Sequence, residues 1–211
     1  MTGLKPLTLR IIRDEHSALA AMLRTLPLLL AEHRRAGTLP DFGALRAMLF
    51  YVDEFPERLH HPKESELLFP KLRARAPALR ELLDKLDDDH ARGERAIRDL
   101  EHTLLGFEML GDARRQPFEQ QAERYVHHYL QHMEIEEREI LPAAIQLLSE
   151  EDWQDLDEAF AQNQDPLAGR HLGQLQQELA GPYQAVFQRV LSALPEPLGL
   201  APAPGRNPGR A

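Results

Sequence analysis

The sequence predicts an all-α fold, an up-down-up-down four-helix bundle with additional C-terminal helices. Apolar residues recur in steps of three and four along four segments of about 30 residues each, a spacing typical of amphipathic helices. Glycine or proline separates the segments, and the alternating pattern of half-buried β-strands occurs nowhere in the chain. Four such helices joined by short turns are the components of an antiparallel bundle.

The four bundle helices follow one another with short breaks. They are predicted over Pro6–Ala36, Asp41–Ala76, Pro77–Gly111 and Pro117–Leu148. Asp41 is a suitable N-cap for the second helix. Pro27 is expected to kink the first helix or make it start afresh, because a proline ring collides with the carbonyl four residues back. For the same reason Pro56 and Pro62 are expected to bend the second helix.

The chain after the predicted bundle domain (residues 5–148) differs in character. Ser149 and Asp152 have the spacing of a capping box and predict a short helix over Trp153–Ala161. A loop and an amphipathic stretch, Leu172–Leu194, follow. We expect residues 149–194 to form a helical extension that packs on the bundle. Residues 195–211 contain five prolines and three glycines and are predicted to be a flexible tail.

Composition excludes several classes of protein. A chain of 211 residues is long enough for one domain with a sizeable core. The formal net charge of -9, without a Lys/Arg cluster, argues against a nucleic-acid partner. The absence of cysteine excludes disulfides and thiol chemistry. No stretch has the pattern of a signal peptide or a membrane span, so a cytoplasmic protein without a membrane partner is expected.

Several polar residues take places on the helical stripes where leucine would be typical. They are His16, His60, Glu64, His90, His132 and Glu136. Residues equidistant from the turn of an antiparallel helical hairpin lie at the same height. The midpoints between successive histidines fall at residue 38, inside Gly37-Thr38-Leu39-Pro40, at residue 75, beside Ala76-Pro77, and at Gly111. All three lie in helix-breaking turn sequences. The chain is therefore predicted to bring four imidazoles and two carboxylates into one layer of the core.

This layer predicts a metal site. A single His-x-x-x-Glu pair is more often a surface pair that stabilises a helix. A carboxylate on a buried stripe, however, is costly without a partner, and arginine and lysine are scarce on these faces. Imidazole and carboxylate without thiolate suit iron, manganese or zinc, and six donors exceed what one tetrahedral zinc uses. We expect two ions, each held by two imidazoles, with Glu64 and Glu136 bridging. An added oxo or hydroxo bridge would leave one coordination position open to a small diatomic molecule.

The ordered motifs resemble those of the hemerythrin-like (HHE cation-binding) family over roughly residues 8–148. The resemblance rests on His16, on His60-His61-Pro62-Lys63-Glu64, on His90 after three aspartates, and on His132-Met133-Glu134-Ile135-Glu136. It implies a four-helix bundle with an oxo-bridged di-iron centre that binds O2, acts on nitric oxide or peroxide, or senses iron or oxygen. It assigns the metal ligands to His16, His60, Glu64, His90, His132 and Glu136.

The chain also departs from the pattern of the oxygen carriers in that family. Those proteins use five histidines and carry a His-x-x-x-His pair on the third helix, where this chain has His90 alone. Here the pair is His128 and His132 on the fourth helix. We expect His128 to lie at the surface or to support a ligand. His61 is expected to point away from the centre, because adjacent residues on a helix differ by about 100°.

Three functional hypotheses follow from these residues. The first is a di-iron protein that binds or senses O2 or NO. The second is a di-iron enzyme acting on peroxide or nitric oxide at the open coordination position. The third is a structural bundle that holds whatever divalent ion is present and forms a homodimer through its C-terminal helices. The first is favoured because Tyr125, Tyr129 and Glu94 are the only evident candidates for a general acid.

Overall fold

The computed structural model describes residues 6–169, and every regular element within that range is helical. The prediction of an all-α fold is therefore confirmed. The helices join into four long rods, which we number in chain order, and a shorter C-terminal helix. Each rod turns a strip of apolar side chains inward, as the spacing of the apolar residues requires.

Rod 1 is one continuous α-helix, Leu7–Ala36. It ends at Gly37, whose φ of 64° is the left-handed conformation that glycine adopts most easily after a helix. The helix continues through Pro27, so the expectation of a fresh start there is wrong. Buried leucines on both sides of the proline, Leu23 and Leu30, anchor the helix to the core and offset the hydrogen bond that proline cannot make.

Rod 2 changes helix type along its length. Its segments are Phe42–Val52, Asp53–His60, His61–Lys63, Glu64–Leu68 and Phe69–Arg75, and the second and fourth are π-helical. In these wide turns the backbone N–H of His61 bonds to the carbonyl of Pro56, and that of Phe69 bonds to the carbonyl of Glu64. Proline cannot donate to the carbonyl four residues back, so the wider turn takes up the missing bond. Of the two prolines predicted to bend this helix, Pro56 lies in a π-helical turn and Pro62 lies in the short α-helical segment His61–Lys63.

Rods 3 and 4 each begin with a 3₁₀ turn that leads into an α-helix. Rod 3 comprises the 3₁₀ turn Pro77–Leu79 and the α-helix Arg80–Leu110. The segments of rod 4 are Gly111–Arg114, Arg115–Ile135, Glu136–Ile140 and Leu141–Leu147. The third of these is again a π-helical turn, in which the N–H of Leu141 bonds to the carbonyl of Glu136. A ligand-type glutamate thus opens a wide turn in both rod 2 and rod 4.

Contacts between the rods show how they are ordered. Arg34, near the end of rod 1, pairs with Glu119, near the start of rod 4 (2.7 Å). His16, nearer the start of rod 1, pairs with Glu137, near the end of rod 4 (3.2 Å). The contacts of rod 3 with rods 2 and 4 follow the same reversed order. Neighbouring rods in these pairs therefore run in opposite directions.

Two apolar clusters fill the interior. The larger includes Leu26, Met48 and Phe107, and the smaller includes Ile12 and Leu141. Burying each large apolar side chain stabilises the fold by about 1.5–3 kcal/mol. We call the six residues His16, His60, Glu64, His90, His132 and Glu136 the polar layer. It lies between the two clusters, so packing on both sides fixes its position along the bundle axis.

The C-terminal helix, Glu150–Phe160, begins with the predicted capping box between Ser149 and Asp152. Leu156 and Phe160 are fully buried in the smaller apolar cluster. The predicted helical stretch over residues 172–194 and the predicted tail over 195–211 lie outside the described residues.

Between residues 6 and 169 no helix combines the length and the apolar content that crossing a bilayer requires.

Candidate metal centre

The six residues predicted to bind metal lie together in the polar layer, and all four rods contribute to it. None of their side chains is more than 7% exposed. They are His16 from rod 1, His60 and Glu64 from rod 2, His90 from rod 3, and His132 and Glu136 from rod 4. The structure therefore brings these six side chains together, as the sequence predicted.

One half of the layer is formed by His16, His60 and Glu64. Ligand-type atoms from these three side chains all lie within 4.8 Å of one another. The Nε2 atom of His60 is 3.2 Å from Glu64 Oε2, and that of His16 is 3.4 Å from Glu136 Oε2. Two donors about 2.0–2.2 Å from one ion lie roughly 3–3.5 Å apart, so these separations suit a shared cation.

The other half is formed by Glu64, His90, His132 and Glu136, whose ligand-type atoms also lie within 4.8 Å of one another. The Nε2 atoms of His90 and His132 are 2.9 Å apart. His132 Nε2 is 3.2 Å from Glu136 Oε1, and His90 Nε2 is 3.6 Å from Glu64 Oε2. Two imidazole nitrogens aimed at one point, with carboxylates beside them, are the donor set of a metal site.

The hydrogen bonds of the buried carboxylates and imidazoles show whether these residues fit a cation. Both carboxylate oxygens of Glu64 and of Glu136 are buried and make no well-directed hydrogen bond, and the same holds for Nε2 of His60. Buried charged groups without partners cost several kcal/mol each. Cations between the imidazoles and the carboxylates would satisfy all of these atoms, so the residues present fit a metal centre.

The close packing of charged groups in the metal-free layer shifts the pKa values of Glu64 and His132. Burial raises the pKa of Glu64, and the charge of Glu136 raises it further. Burial lowers the pKa of His132, but the charge of Glu136 and the partner Asp89 outweigh it and raise that pKa to about 10. His132 therefore holds a proton at neutral pH in the absence of metal.

Metal binding should release protons. A metal ion needs the unprotonated imidazole, so it must displace the proton that the raised pKa of His132 keeps on the ring. Apparent affinity for Fe²⁺ should therefore rise as the pH rises from 6 towards 8, by roughly tenfold per pH unit for each proton released. Calorimetric titration in two buffers of different ionisation enthalpy measures the number of protons directly. Identical heats in both buffers would contradict this expectation.

The outer nitrogen of each imidazole, Nδ1, faces a separate oxygen. Nδ1 of His16, His60 and His90 lies within hydrogen-bond distance of Glu137 (3.2 Å), Glu15 (2.6 Å) and Ser65 (2.8 Å), respectively. Nδ1 of His132 is 3.7 Å from Asp89, which is close enough for an ion pair but too far for a hydrogen bond. An acceptor at Nδ1 holds the proton on that side of the ring and leaves the Nε2 lone pair for an ion. Of the acceptors near the ligands in sequence, Glu15 takes this role, whereas Glu94 is exposed and pairs with Arg98.

His61 is also buried beside the layer, so the expectation that it points away is wrong. Its ring stacks on that of His90, with 4.2 Å between centroids and 12° between planes. One of its nitrogens lies within 4.8 Å of ligand-type atoms of His90 and His132. The 100° rule assumes an α-helix, and His61 directly follows a π-helical turn. The sequence feature that could have indicated the inward position of His61 is the pair of consecutive histidines beside prolines in this helix.

A second polar cluster, which sequence reasoning missed, lies next to His61. Glu57 accepts hydrogen bonds from the hydroxyls of Tyr125 (2.8 Å) and Tyr129 (2.5 Å), and from Nδ1 of His61 (3.1 Å). Burial raises the pKa of Glu57, although the hydrogen bonds from the tyrosines oppose the rise. Burial and the charge of Glu57 both raise the pKa of Tyr129. The cluster places three proton-bearing groups around a buried carboxylate beside the metal layer.

His128 lies outside the layer, as predicted. Its side chain is 42% exposed, and its Nε2 is 3.8 Å from Asp89, the carboxylate that also faces His132. His128 therefore borders a residue that supports a ligand.

Replacing His128 with alanine should leave the metal content of the purified protein unchanged, because the ring does not reach the layer. Elemental analysis of His128→Ala beside the wild-type protein is the measurement. A halved iron content would make His128 a ligand and overturn the assignment.

Comparison with known families agrees with this geometry. The family model described as the hemerythrin HHE cation binding domain matches residues 7–144. Searches of curated proteins and of solved structures returned no match. The matched range spans the four rods up to the last turn of rod 4 and includes all six residues of the layer. The chain therefore belongs to the hemerythrin HHE cation-binding family.

Proposed function

We propose that this protein holds two iron ions between its rods and that the pair of ions binds or senses O2 or NO. The proposed ligands are His16, His60, Glu64, His90, His132 and Glu136. The observation that carries the proposal is the meeting of four inward Nε2 atoms with two buried carboxylates that lack hydrogen bonds. Such a set has no evident use without cations.

The contacts of the carboxylates support a pair of ions. Glu64 Oε2 lies near both His60 (3.2 Å) and His90 (3.6 Å). Glu136 lies near both His16 (3.4 Å) and His132 (3.2 Å). Each carboxylate therefore touches one imidazole of each half of the layer, which is the placement a bridging ligand needs. In this proposal His16 and His60 hold one ion, and His90 and His132 hold the other.

The donor chemistry favours iron, with manganese and zinc as alternatives. Nitrogen and oxygen donors without thiolate suit these ions, and affinity alone does not select among them. Bound iron would supply reversible redox chemistry and a coordination position for a diatomic molecule. The protein buries the layer and orients the imidazoles of His16, His60 and His90 through their Nδ1 hydrogen-bond partners.

Metal analysis tests the proposal. Protein purified from cells grown with ample iron should contain two iron ions per chain and show near-ultraviolet absorption from oxo-to-iron charge transfer. After anaerobic reduction, addition of O2 or NO should change that spectrum reversibly. One zinc per chain without such absorption would favour the structural alternative and contradict the proposal.

The cluster around Glu57 favours a second candidate function, a di-iron enzyme that acts on peroxide or nitric oxide. Tyr125, Tyr129 and His61 surround Glu57 and provide the buried proton donors that such a reaction needs. Turnover of peroxide or NO by the iron-loaded protein, compared with Tyr129→Phe, tests this candidate. A rate no higher than that of free iron would remove it.

We also propose that the four rods form an up-down-up-down bundle whose domain spans residues 5–148, with the extension from residue 149 packed on it. The reversed order of the contacts between rods and the burial of Leu156 and Phe160 support this arrangement. A cytoplasmic location and a homodimer through the C-terminal helices stay predictions.

A further inference from the structure

The segment that follows the C-terminal helix reaches the metal layer. We call residues 161–167 the cap segment. They lie beyond the end of the family domain at residue 144, so the family pattern does not account for them. Phe160, just before the segment, places its ring at right angles to that of His60, with 6.0 Å between centroids. Leu167, at its other end, is 9% exposed and packs in the larger apolar cluster.

Asn163 connects the cap segment to a proposed ligand. Its side chain is buried, and its amide nitrogen donates to Glu15 Oε2 at 3.0 Å. The same oxygen accepts the hydrogen bond from Nδ1 of His60 at 2.6 Å. Lys63 donates to the amide oxygen of Asn163, which fixes the orientation of the amide. Asn163 therefore holds the carboxylate that holds His60.

Asp165 anchors the segment to rod 2. Its carboxylate accepts a hydrogen bond from the hydroxyl of Tyr51 at 2.7 Å and another from the backbone N–H of Leu167 at 2.8 Å. Tyr51 is fully buried, so the anchor reaches into the core.

A cleft runs between the cap segment and rods 1 and 2 to one half of the metal layer. The cleft is narrow, with room for about one water molecule. Its walls combine apolar side chains from both rods with His16, His60, Glu15, Asn163 and Asp165. Two of the wall residues are proposed metal ligands, and two belong to the cap segment. The cleft therefore borders the proposed ion position at His16 and His60, and the cap segment forms part of its wall.

We propose that the cap segment retains the ion at His16 and His60, with Asn163 as the positioning residue for His60 and the segment as the wall that limits passage through the cleft. The proposal rests on the proposed function, because it requires ions in the layer. It distinguishes the two ions, since His90 and His132 have no contact with Asn163 or Asp165 among the described hydrogen bonds and ion pairs.

The test uses the full-length protein loaded anaerobically with Fe²⁺ and then mixed with an excess of a chelator that forms a coloured iron complex. Asn163→Ala should release one ion per chain about tenfold faster, and bind that ion about tenfold more weakly, than the wild type, as is usual when a residue supporting a ligand is lost. The other ion should leave at the wild-type rate. The matched control is Gln162→Ala, at an exposed neighbouring position, which should behave as the wild type.

Two further measurements separate positioning from general stability. The metal-free Asn163→Ala protein should still fold, with a melting temperature lowered because the buried Glu15 carboxylate loses a hydrogen-bond donor. A general loss of stability would speed the release of both ions, whereas a positioning role speeds the release of one. Tyr51→Phe keeps the volume of the side chain, removes the anchor at Asp165, and should also speed release of the same ion. Equal release rates in Asn163→Ala and wild type, or equal acceleration of both ions, would overturn the proposal. A wild-type protein that binds no iron would instead refute the proposed function.

Discussion

Replacing Glu64 with alanine should leave the purified protein with no more than one of the two proposed iron ions. Glu64 is fully buried, and its Oε2 lies near one imidazole from each half of the layer, His60 and His90. Its loss removes a ligand from both proposed ion positions at once, which no single histidine replacement does. Elemental analysis and the near-ultraviolet spectrum of Glu64→Ala are the measurements.

Glu94→Ala is the matched control, because Glu94 also follows a histidine by four residues but is exposed and paired with Arg98. It should keep the full iron content.

Glu64→Gln separates the cost of burying a charged carboxylate from the loss of a metal ligand. Burial and the charge of Glu136 raise the pKa of Glu64, so the carboxylate is unfavourable without metal. Metal-free Glu64→Gln should therefore melt no lower than the metal-free wild type, whereas iron should stabilise only the wild type strongly. Full iron retention by Glu64→Ala would refute the bridging role.

Replacing Gly93 with alanine should destabilise the protein by about 2–4 kcal/mol, through overpacking and a lost hydrogen bond to a charged group. A Cβ atom at this position in rod 3 would lie 1.5 Å from the hydroxyl oxygen of Tyr129 and 2.9 Å from Glu57 Oε1. Tyr129 would have to leave its hydrogen bond with Glu57, and the buried carboxylate would lose a donor. Chemical denaturation of the metal-free protein measures the change.

Gly106→Ala provides the control on the same helix. A Cβ atom there meets nothing within 4 Å, so this change should stabilise the protein by about 0.5–1 kcal/mol through helix propensity. The double variant Gly93→Ala/Tyr129→Phe should recover part of the loss, because it removes the oxygen that the new methyl group meets. Additive effects of the two changes would show that Tyr129 is not the obstacle.

The position of the metal layer could be predicted because it depends on simple geometry. Turns at Gly37, Pro77 and Gly111 and a helical period near 3.6 set which residues share a height, and His16 and His90 satisfy that condition. Carboxylates on buried stripes need a compensating partner, and the sequence placed few arginines or lysines on those faces. The helical class of the fold and the placement of the layer therefore followed from local rules.

The residues that surround the layer could not be predicted from helical periodicity and turn positions alone. His61 and Glu57 turn inward because π-helical turns change the angle between successive residues of rod 2. Asn163 is 148 residues from its partner Glu15, so no spacing along the chain could link them. The continuity of rod 1 through Pro27 likewise reflects tertiary packing, which overrides the local cost of proline.

The wide turns after Glu64 and Glu136 act as one-residue insertions into otherwise regular helices. Each lets two consecutive side chains, Leu68 and Phe69 or Ile140 and Leu141, reach the interior just beyond the carboxylate. Deleting a single residue from either turn would rotate everything downstream by about 100° and set the proposed metal ligands and the apolar core out of phase. Each of these glutamates is followed by a proline six positions later. That spacing is therefore as strict a constraint on the chain as the identity of the glutamate.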